Sequence, residues 1–65
     1  MNKIAGYRKM LGLTQEELAN KIGISRSSFQ SKENGKFPFK QTEMKKIVIV
    51  FQQADLNVTL DSLFF

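Results

Sequence analysis

Two short helices and a tight turn between them are predicted by residues 15–34, QEELANKIGISRSSFQSKEN. The first helix has a capping box at its start, in which the Thr14 hydroxyl accepts from the Glu17 amide and the Glu17 carboxylate accepts from the Thr14 amide. Gly23 is expected to end this helix, since glycine readily takes the left-handed conformation that closes a helix. The apolar residues that form its inner face are Leu18, Ala19 and Ile22.

The helix that follows has almost no apolar face. Ser25 is a good N-cap, and the helix is expected to run to residue 32 or 33 and to stop at Asn34-Gly35. Phe29 is its one large apolar residue, whereas a surface helix normally carries an apolar stripe about 100° wide or more. Its polar face therefore calls for an explanation other than core packing.

A helix-turn-helix accounts for that face. Small Ala19 permits close contact between the helices, Gly23 allows the sharp turn, and Ile24 and Phe29 fix the second helix of the pair to the core. A helix held in this way stands out from the surface and fits the major groove of B-DNA. We therefore interpret the polar face of residues 25–32 as a surface that contacts base edges.

Three further helical segments are predicted around this pair. Residues 2–11 have apolar spacing typical of a helix that ends at Gly12. Residues 41–54 have the same helical spacing over a longer segment. The segment IVIVF (47–51) is also a strand signal, but its neighbours favour a helix. Thr59 is expected to cap a short turn in the closing LDSLFF.

The predicted architecture is all-α, a compact bundle of four to five short helices in one domain, residues 1–65. In the loop KFPFK (36–40), Pro38 and its aromatic neighbours are expected to cover the core edge. A chain of 65 residues buries only about 60% of its unfolded surface, so the core is small.

Composition excludes several kinds of site. The chain has no cysteine and no histidine, which excludes disulfides, zinc sites built on those residues, and a nucleophile activated by a histidine base. The six carboxylates are scattered, no glycine-rich phosphate loop is present, and the chain is too small to enclose a substrate pocket. We expect no enzyme activity, no cofactor, no metal and no small-molecule ligand.

The net charge of +4 is unevenly distributed along the chain. Residues 1–40 carry eight Lys or Arg against three Glu, a net +5, whereas residues 41–65 carry a net −1. This asymmetry favours an anionic partner for one surface. The N-terminal sequence lacks an apolar signal-peptide core and no run is long enough to span a membrane, so a cytoplasmic location without membrane association is expected.

The combination of LTQEELA, GIS and ENGK within residues 12–36 resembles the Cro and lambda-repressor-like (XRE-type) helix-turn-helix regulators. The resemblance extends over essentially the whole chain. In its short length the chain resembles a Cro-type phage or prophage regulator. The resemblance implies a transcriptional repressor that binds double-stranded DNA at a palindromic operator as a homodimer.

The resemblance also implies roles for individual residues. The base-contacting positions match Arg26, Ser27, Gln30 and Ser31. The positions that contact phosphates match Gln15, Asn34, Lys36 and Lys40. The structural positions match Arg8, Glu33, Ala19, Gly23 and Phe29.

Two positions near the end of the second helix of the pair, which is the recognition helix of such regulators, are unusual. Glu33 lies at the negative end of the helix dipole, and the family pattern pairs it with an arginine of the first helix, here Arg8. Position 32 is usually apolar in the family and is Lys32 here. Either its stem covers the core edge while the ammonium reaches solvent or phosphate, or the helix is slightly rotated.

The C-terminal apolar residues leave two interpretations open. Phe64, Phe65, Ile49 and Val50 exceed what one small core can bury, and they form either a dimer interface or a lid on the core. If this surface binds another protein, the chain is instead an interaction module, an antitoxin or adaptor on the same fold.

Overall fold

The computed structural model describes residues 3–65, which form five α-helices and no strand. The helices are α1 (Lys3–Met10), α2 (Gln15–Ile22), α3 (Arg26–Glu33), α4 (Gln41–Gln53) and α5 (Leu60–Phe64). The all-α prediction is confirmed, and the segment 47–51 lies inside α4. The expected start of the first helix at residue 2 lies outside the described residues. No helix within residues 3–65 has the length and apolar character needed to cross a membrane.

Local hydrogen bonds define the start and end of α2. The Thr14 hydroxyl accepts from the Glu17 amide at 3.0 Å, and the Glu17 carboxylate accepts from the Thr14 amide at 2.8 Å, so the expected capping box is present. The bond from the Thr14 amide is the main reason why the pKa of Glu17 lies below its usual value. Gly23 ends the helix with φ of +79°, a conformation that a side chain disfavours.

The same chemistry positions α3 directly after this turn. The Ser25 hydroxyl accepts from the Ser28 amide at 3.2 Å, and Ser25 is the N-cap, as expected. At the other end, Gly35 takes the left-handed conformation with φ of +83° and donates its amide to the Lys32 carbonyl at 3.1 Å. The turn between α2 and α3 is thus fixed by Gly23 at one end and by the Ser25 cap at the other, and Gly35 closes the far end of α3.

The core draws apolar side chains from all five helices. Phe29 is fully buried and is the only apolar residue of α3 that reaches the core. It contacts the ring of Phe39 at a centroid distance of 5.8 Å. The buried apolar residues are Ile4, Leu18, Ala19, Ile22, Phe29, Ile47, Val48, Phe51, Val58 and Leu63.

The loop after α3 covers the core with one residue rather than three. Phe39 lies between Phe29 and Phe64, whose ring centroids are 5.8 and 5.9 Å away. Phe37 is 55% exposed and Pro38 is also exposed, so the expectation that the whole loop covers the core edge is wrong for these two residues.

The C-terminal apolar residues divide between the two interpretations. Phe64 is half-buried against Phe39 and covers the core in the manner of a lid. Phe65 and Ile49 are 83% and 51% exposed. The short helix α5, which leads to Phe64 and Phe65, is capped as expected, with the Thr59 hydroxyl accepting from the Ser62 amide at 3.1 Å.

Candidate nucleic-acid interface

Two of the candidate base contacts lie on the face of α3 opposite the core. Ser27 and Ser31 lie two residues before and after Phe29, so a turn of 100° per residue places both about 160° from that buried ring. Ser27 and Gln30 are exposed, and Ser31 is half-buried. Arg26 is exposed in the first turn of α3, which is the end that contacts bases when such a helix enters a groove.

A buried ion pair joins the far end of α3 to α1. Arg8 Nε donates to Glu33 Oε2 at 2.9 Å and Nη2 donates to Oε1 at 3.2 Å. The third guanidinium nitrogen, Nη1, donates to the Leu13 carbonyl at 2.8 Å. Arg8 and Glu33 are only 8% and 6% exposed. The expected Arg8–Glu33 pair is therefore present, and its two-pronged geometry restricts the rotation of both side chains.

Gln15 takes part in the same network. It is the first residue of α2, and its Nε2 donates to Glu33 Oε1 at 2.8 Å. A side-chain amide has two N–H donors, so this bond leaves one of them for another acceptor. The phosphate contact expected of Gln15 stays a prediction, and the sequence did not indicate its bond to Glu33.

The segment between α3 and α4, residues 34–40, carries the other candidate phosphate contacts. Asn34, Lys36 and Lys40 are all exposed. The segment is tied back to α3 by the Lys36 amide, which donates to the Ser31 carbonyl at 2.9 Å. These side chains follow α3 directly, so the candidate phosphate contacts lie next to the candidate base contacts along the chain.

Lys32 is placed differently from the sequence expectation. Its Nζ donates to both carboxylate oxygens of Glu43 in α4, at 2.8 and 2.8 Å. The side chains of Lys32 and Glu43 are 14% and 9% exposed. The sequence interpretation did not foresee this ion pair, because the carboxylate comes from the next helix, 11 residues further along the chain.

Glu43 is a residue that the sequence interpretation missed. Besides binding Lys32, its Oε1 accepts from the backbone amide of Lys40 at 2.8 Å. Burial raises the pKa of Glu43, but the hydrogen bonds from Lys32 and from the Lys40 amide outweigh that effect and hold the pKa below its usual value of 4.5. One signal was available: a Glu three residues after a helix N-cap is typical of a capping box.

The geometry defines a helix-turn-helix domain, and comparison with known proteins agrees. The model of the Helix-turn-helix family matches residues 4–62, so the chain belongs to this family.

Two curated relatives are similar to part of the chain. One is an HTH-type transcriptional regulator described as uncharacterized, from Methanocaldococcus jannaschii. It is 47% identical over 36 residues, which cover 55% of this chain and 54% of the relative. The other carries the same description in Methanothermobacter thermautotrophicus and is 47% identical over 34 residues, 52% of this chain and 49% of the relative. The chain thus spans about half the length of these curated relatives. No solved structure matches it significantly.

Proposed function

We propose that this chain is a sequence-specific regulator of transcription that binds double-stranded DNA, acting as a Cro-type phage or prophage repressor. The observation that carries the proposal is the two-sided character of α3. Phe29 and Glu33 hold one side in the interior, while Ser27, about 160° from Phe29, is exposed on the other, and Arg26 and Gln30 are exposed on the flanks. A short helix fixed in this way can enter a major groove without distortion of the core.

Base discrimination rests mainly on Arg26. A guanidinium binds O6 and N7 of guanine with two parallel hydrogen bonds, a contact that contributes about 1–3 kcal/mol of discrimination. Ser27, Gln30 and Ser31 are the further base contacts. Since serine hydroxyls both donate and accept, they discriminate poorly, and part of the specificity comes from DNA shape.

Affinity rests on the phosphate contacts. Lys36 and Lys40 are exposed cations, and Asn34 adds an amide next to them. Gln15 contributes from the start of α2 with its remaining N–H. Each lysine that neutralises a phosphate releases counterions, which makes binding weaker as the salt concentration rises.

The chain binds as a homodimer at a palindromic operator and represses by occupying it. Such dimers place two recognition helices in major grooves about 34 Å apart. Exposed apolar side chains of α1, α4 and the C-terminus supply candidate interface surface, with Met10 64%, Ile49 51% and Phe65 83% exposed. A standard interface takes about 800 Å² from each partner, roughly a fifth of the 4323 Å² surface of this chain.

The same exposed apolar residues favour a second candidate function, a protein-interaction module such as an antitoxin or adaptor. In that case Ile49 and Phe65 contact a different protein, and the chain alone is monomeric and binds DNA weakly. Sedimentation of the purified chain separates the two candidates, because only the first forms a homodimer.

The first experiment is a selection of binding sites from a random duplex DNA library at near-physiological salt. We expect enrichment of a two-fold symmetric sequence with half-sites one helical turn apart. Recovery of no sequence by a folded protein would reject the DNA-binding proposal and favour the interaction module.

A pair of variants tests how the contacts are divided. Arg26→Ala should weaken binding to the selected site and relax its specificity at one base pair. Lys36→Ala should weaken all sequences equally and flatten the slope of log K against log salt by about one. Lys9→Ala, an exposed lysine of α1, is the matched control for lost charge. A uniform loss in both test variants would contradict the division into base and phosphate contacts.

A further inference from the structure

Glu43 joins three parts of the chain at one carboxylate. It lies in the first turn of α4 and is 7% exposed. Both of its oxygens accept from Lys32 Nζ of α3, and Oε1 also accepts from the Lys40 amide at 2.8 Å. The end of α3, the end of the segment 34–40 and the start of α4 are therefore held together by one side chain.

The segment 34–40 depends on few other anchors. Its first part is tied to α3 by the bond from the Lys36 amide to the Ser31 carbonyl. Phe39 packs into the core edge, but Phe37 and Pro38 are exposed, and the Phe37 ring lies 6.0 Å from Lys36 Nζ of the same segment. At the far end of the segment the Lys40 amide donates to Glu43 Oε1 at 2.8 Å and the Lys40 carbonyl accepts from the Met44 amide at 2.9 Å, so the Glu43 carboxylate is the side-chain anchor there.

An ion pair that is largely removed from water, as this one is, is not explained by stability alone. The desolvation of two charges offsets most of their attraction, so an apolar pair at the same place is often as stable or more stable. The pair instead fixes the orientation of the end of α3 relative to the start of α4, because Lys32 Nζ lies 2.8 Å from each carboxylate oxygen of Glu43.

We propose that Glu43 is a positioning residue for DNA backbone contacts: by binding Lys32 and the Lys40 amide together, it fixes the phosphate-contacting segment 34–40 relative to the recognition helix. Glu43 and Lys32 do not themselves contact DNA. The inference rests on the proposed DNA-binding function, and it predicts a weaker grip on phosphates when the carboxylate is lost.

The variant Glu43→Gln separates positioning from charge by the sign of its effect. Loss of a carboxylate raises the net charge by one and releases the Lys32 ammonium, so charge alone predicts tighter DNA binding and a salt slope steeper by about one. Positioning predicts the opposite. We expect binding roughly tenfold weaker or more, as for the loss of one charge-assisted hydrogen bond. We also expect a slope flatter by about one to two.

The double variant Lys32→Met/Glu43→Gln provides the test if Glu43→Gln alone does not fold. It keeps the net charge of the parent chain and leaves no buried ammonium without a carboxylate. Charge alone predicts unchanged binding, whereas positioning predicts the same weakening on specific and nonspecific DNA. Asp61→Asn, an exposed carboxylate of α5, is the control for the charge change in Glu43→Gln.

Affinities are measured by fluorescence anisotropy at several salt concentrations, on the selected site and on random duplex. Circular dichroism establishes that each variant is folded in the same buffers. Weaker, less salt-dependent binding by Glu43→Gln and by the double variant, with Asp61→Asn binding no more weakly than the parent chain, supports the inference.

Equal or tighter binding by either variant overturns the inference while the proposed function stands. Unfolding of both variants also overturns it, because the pair would then hold the fold itself. Failure of the parent chain to bind any DNA is a separate result and rejects the proposed function.

Discussion

Removal of the guanidinium of Arg8 is expected to destabilise the fold strongly. In the structure Arg8 donates twice to Glu33, at 2.9 and 3.2 Å, and once to the Leu13 carbonyl at 2.8 Å. Arg8→Ala therefore leaves a carboxylate that is 6% exposed without its cation, although Gln15 still donates to it. The same variant removes a hydrogen bond that fixes the loop after α1.

The size of the effect follows from the burial of the pair. Loss of one partner from a buried ion pair costs about 3–5 kcal/mol, because the remaining charge stays out of water. A chain of 65 residues has a free energy of unfolding of about 3–10 kcal/mol, at roughly 0.05–0.15 kcal/mol per residue. Arg8→Ala should therefore remove at least about a third of that free energy.

Urea unfolding followed by far-UV circular dichroism measures this loss. The neighbouring Lys9→Ala removes an exposed cation from the same helix and should change the free energy of unfolding by no more than about 0.5 kcal/mol. Arg8→Met/Glu33→Met replaces the pair by apolar side chains and should be more stable than Arg8→Ala, because no buried charge is left alone. It should stay below the parent chain, because the Leu13 carbonyl and Gln15 Nε2 each lose a hydrogen-bond partner. If Arg8→Ala lost less than about 1 kcal/mol with an unchanged m-value, the argument from the buried pair would be refuted.

Two further predictions concern the turn and the acid stability. Gly23→Ala should cost roughly 1–2 kcal/mol, because alanine disfavours φ of +79°, and Gly23→Asn should cost less; thermal unfolding measures both. The pKa of Glu43 is lowered although burial raises it, because Lys32 and the Lys40 amide bind the charged form. Its stabilising effect is complete above the unfolded pKa near 4.5 and is lost as pH falls through the lower folded pKa. Glu43→Gln should therefore make the free energy of unfolding depend less on pH in the acid range. Some dependence should remain, because Glu17 also has a lowered pKa. Urea unfolding between neutral and acid pH measures this, and a variant with the same pH dependence as the parent chain would contradict the prediction.

The sequence predicted the local features of the fold because their signals are local. The capping box at Thr14, the left-handed Gly23 and the Ser25 cap each depend on residues within a few positions of one another. The family pattern supplied the Arg8–Glu33 pair, which joins positions 25 residues apart. Neither kind of signal was available for Gln15, whose amide meets Glu33 only after α2 and α3 have packed.

The ion pair between Lys32 and Glu43, which the sequence did not predict, shows how α3 is held in place. With Phe29 as its only buried apolar residue, α3 has little apolar surface to fix its rotation about its own axis. Two adjacent charges at its end, Lys32 and Glu33, are instead bound by opposite charges from different helices, Glu43 of α4 and Arg8 of α1. Apolar contacts tolerate small rotations, whereas two ion pairs that pull toward different helices do not. Since the rotation of α3 decides which of its side chains face outward, these two ion pairs constrain the surface that we propose binds DNA.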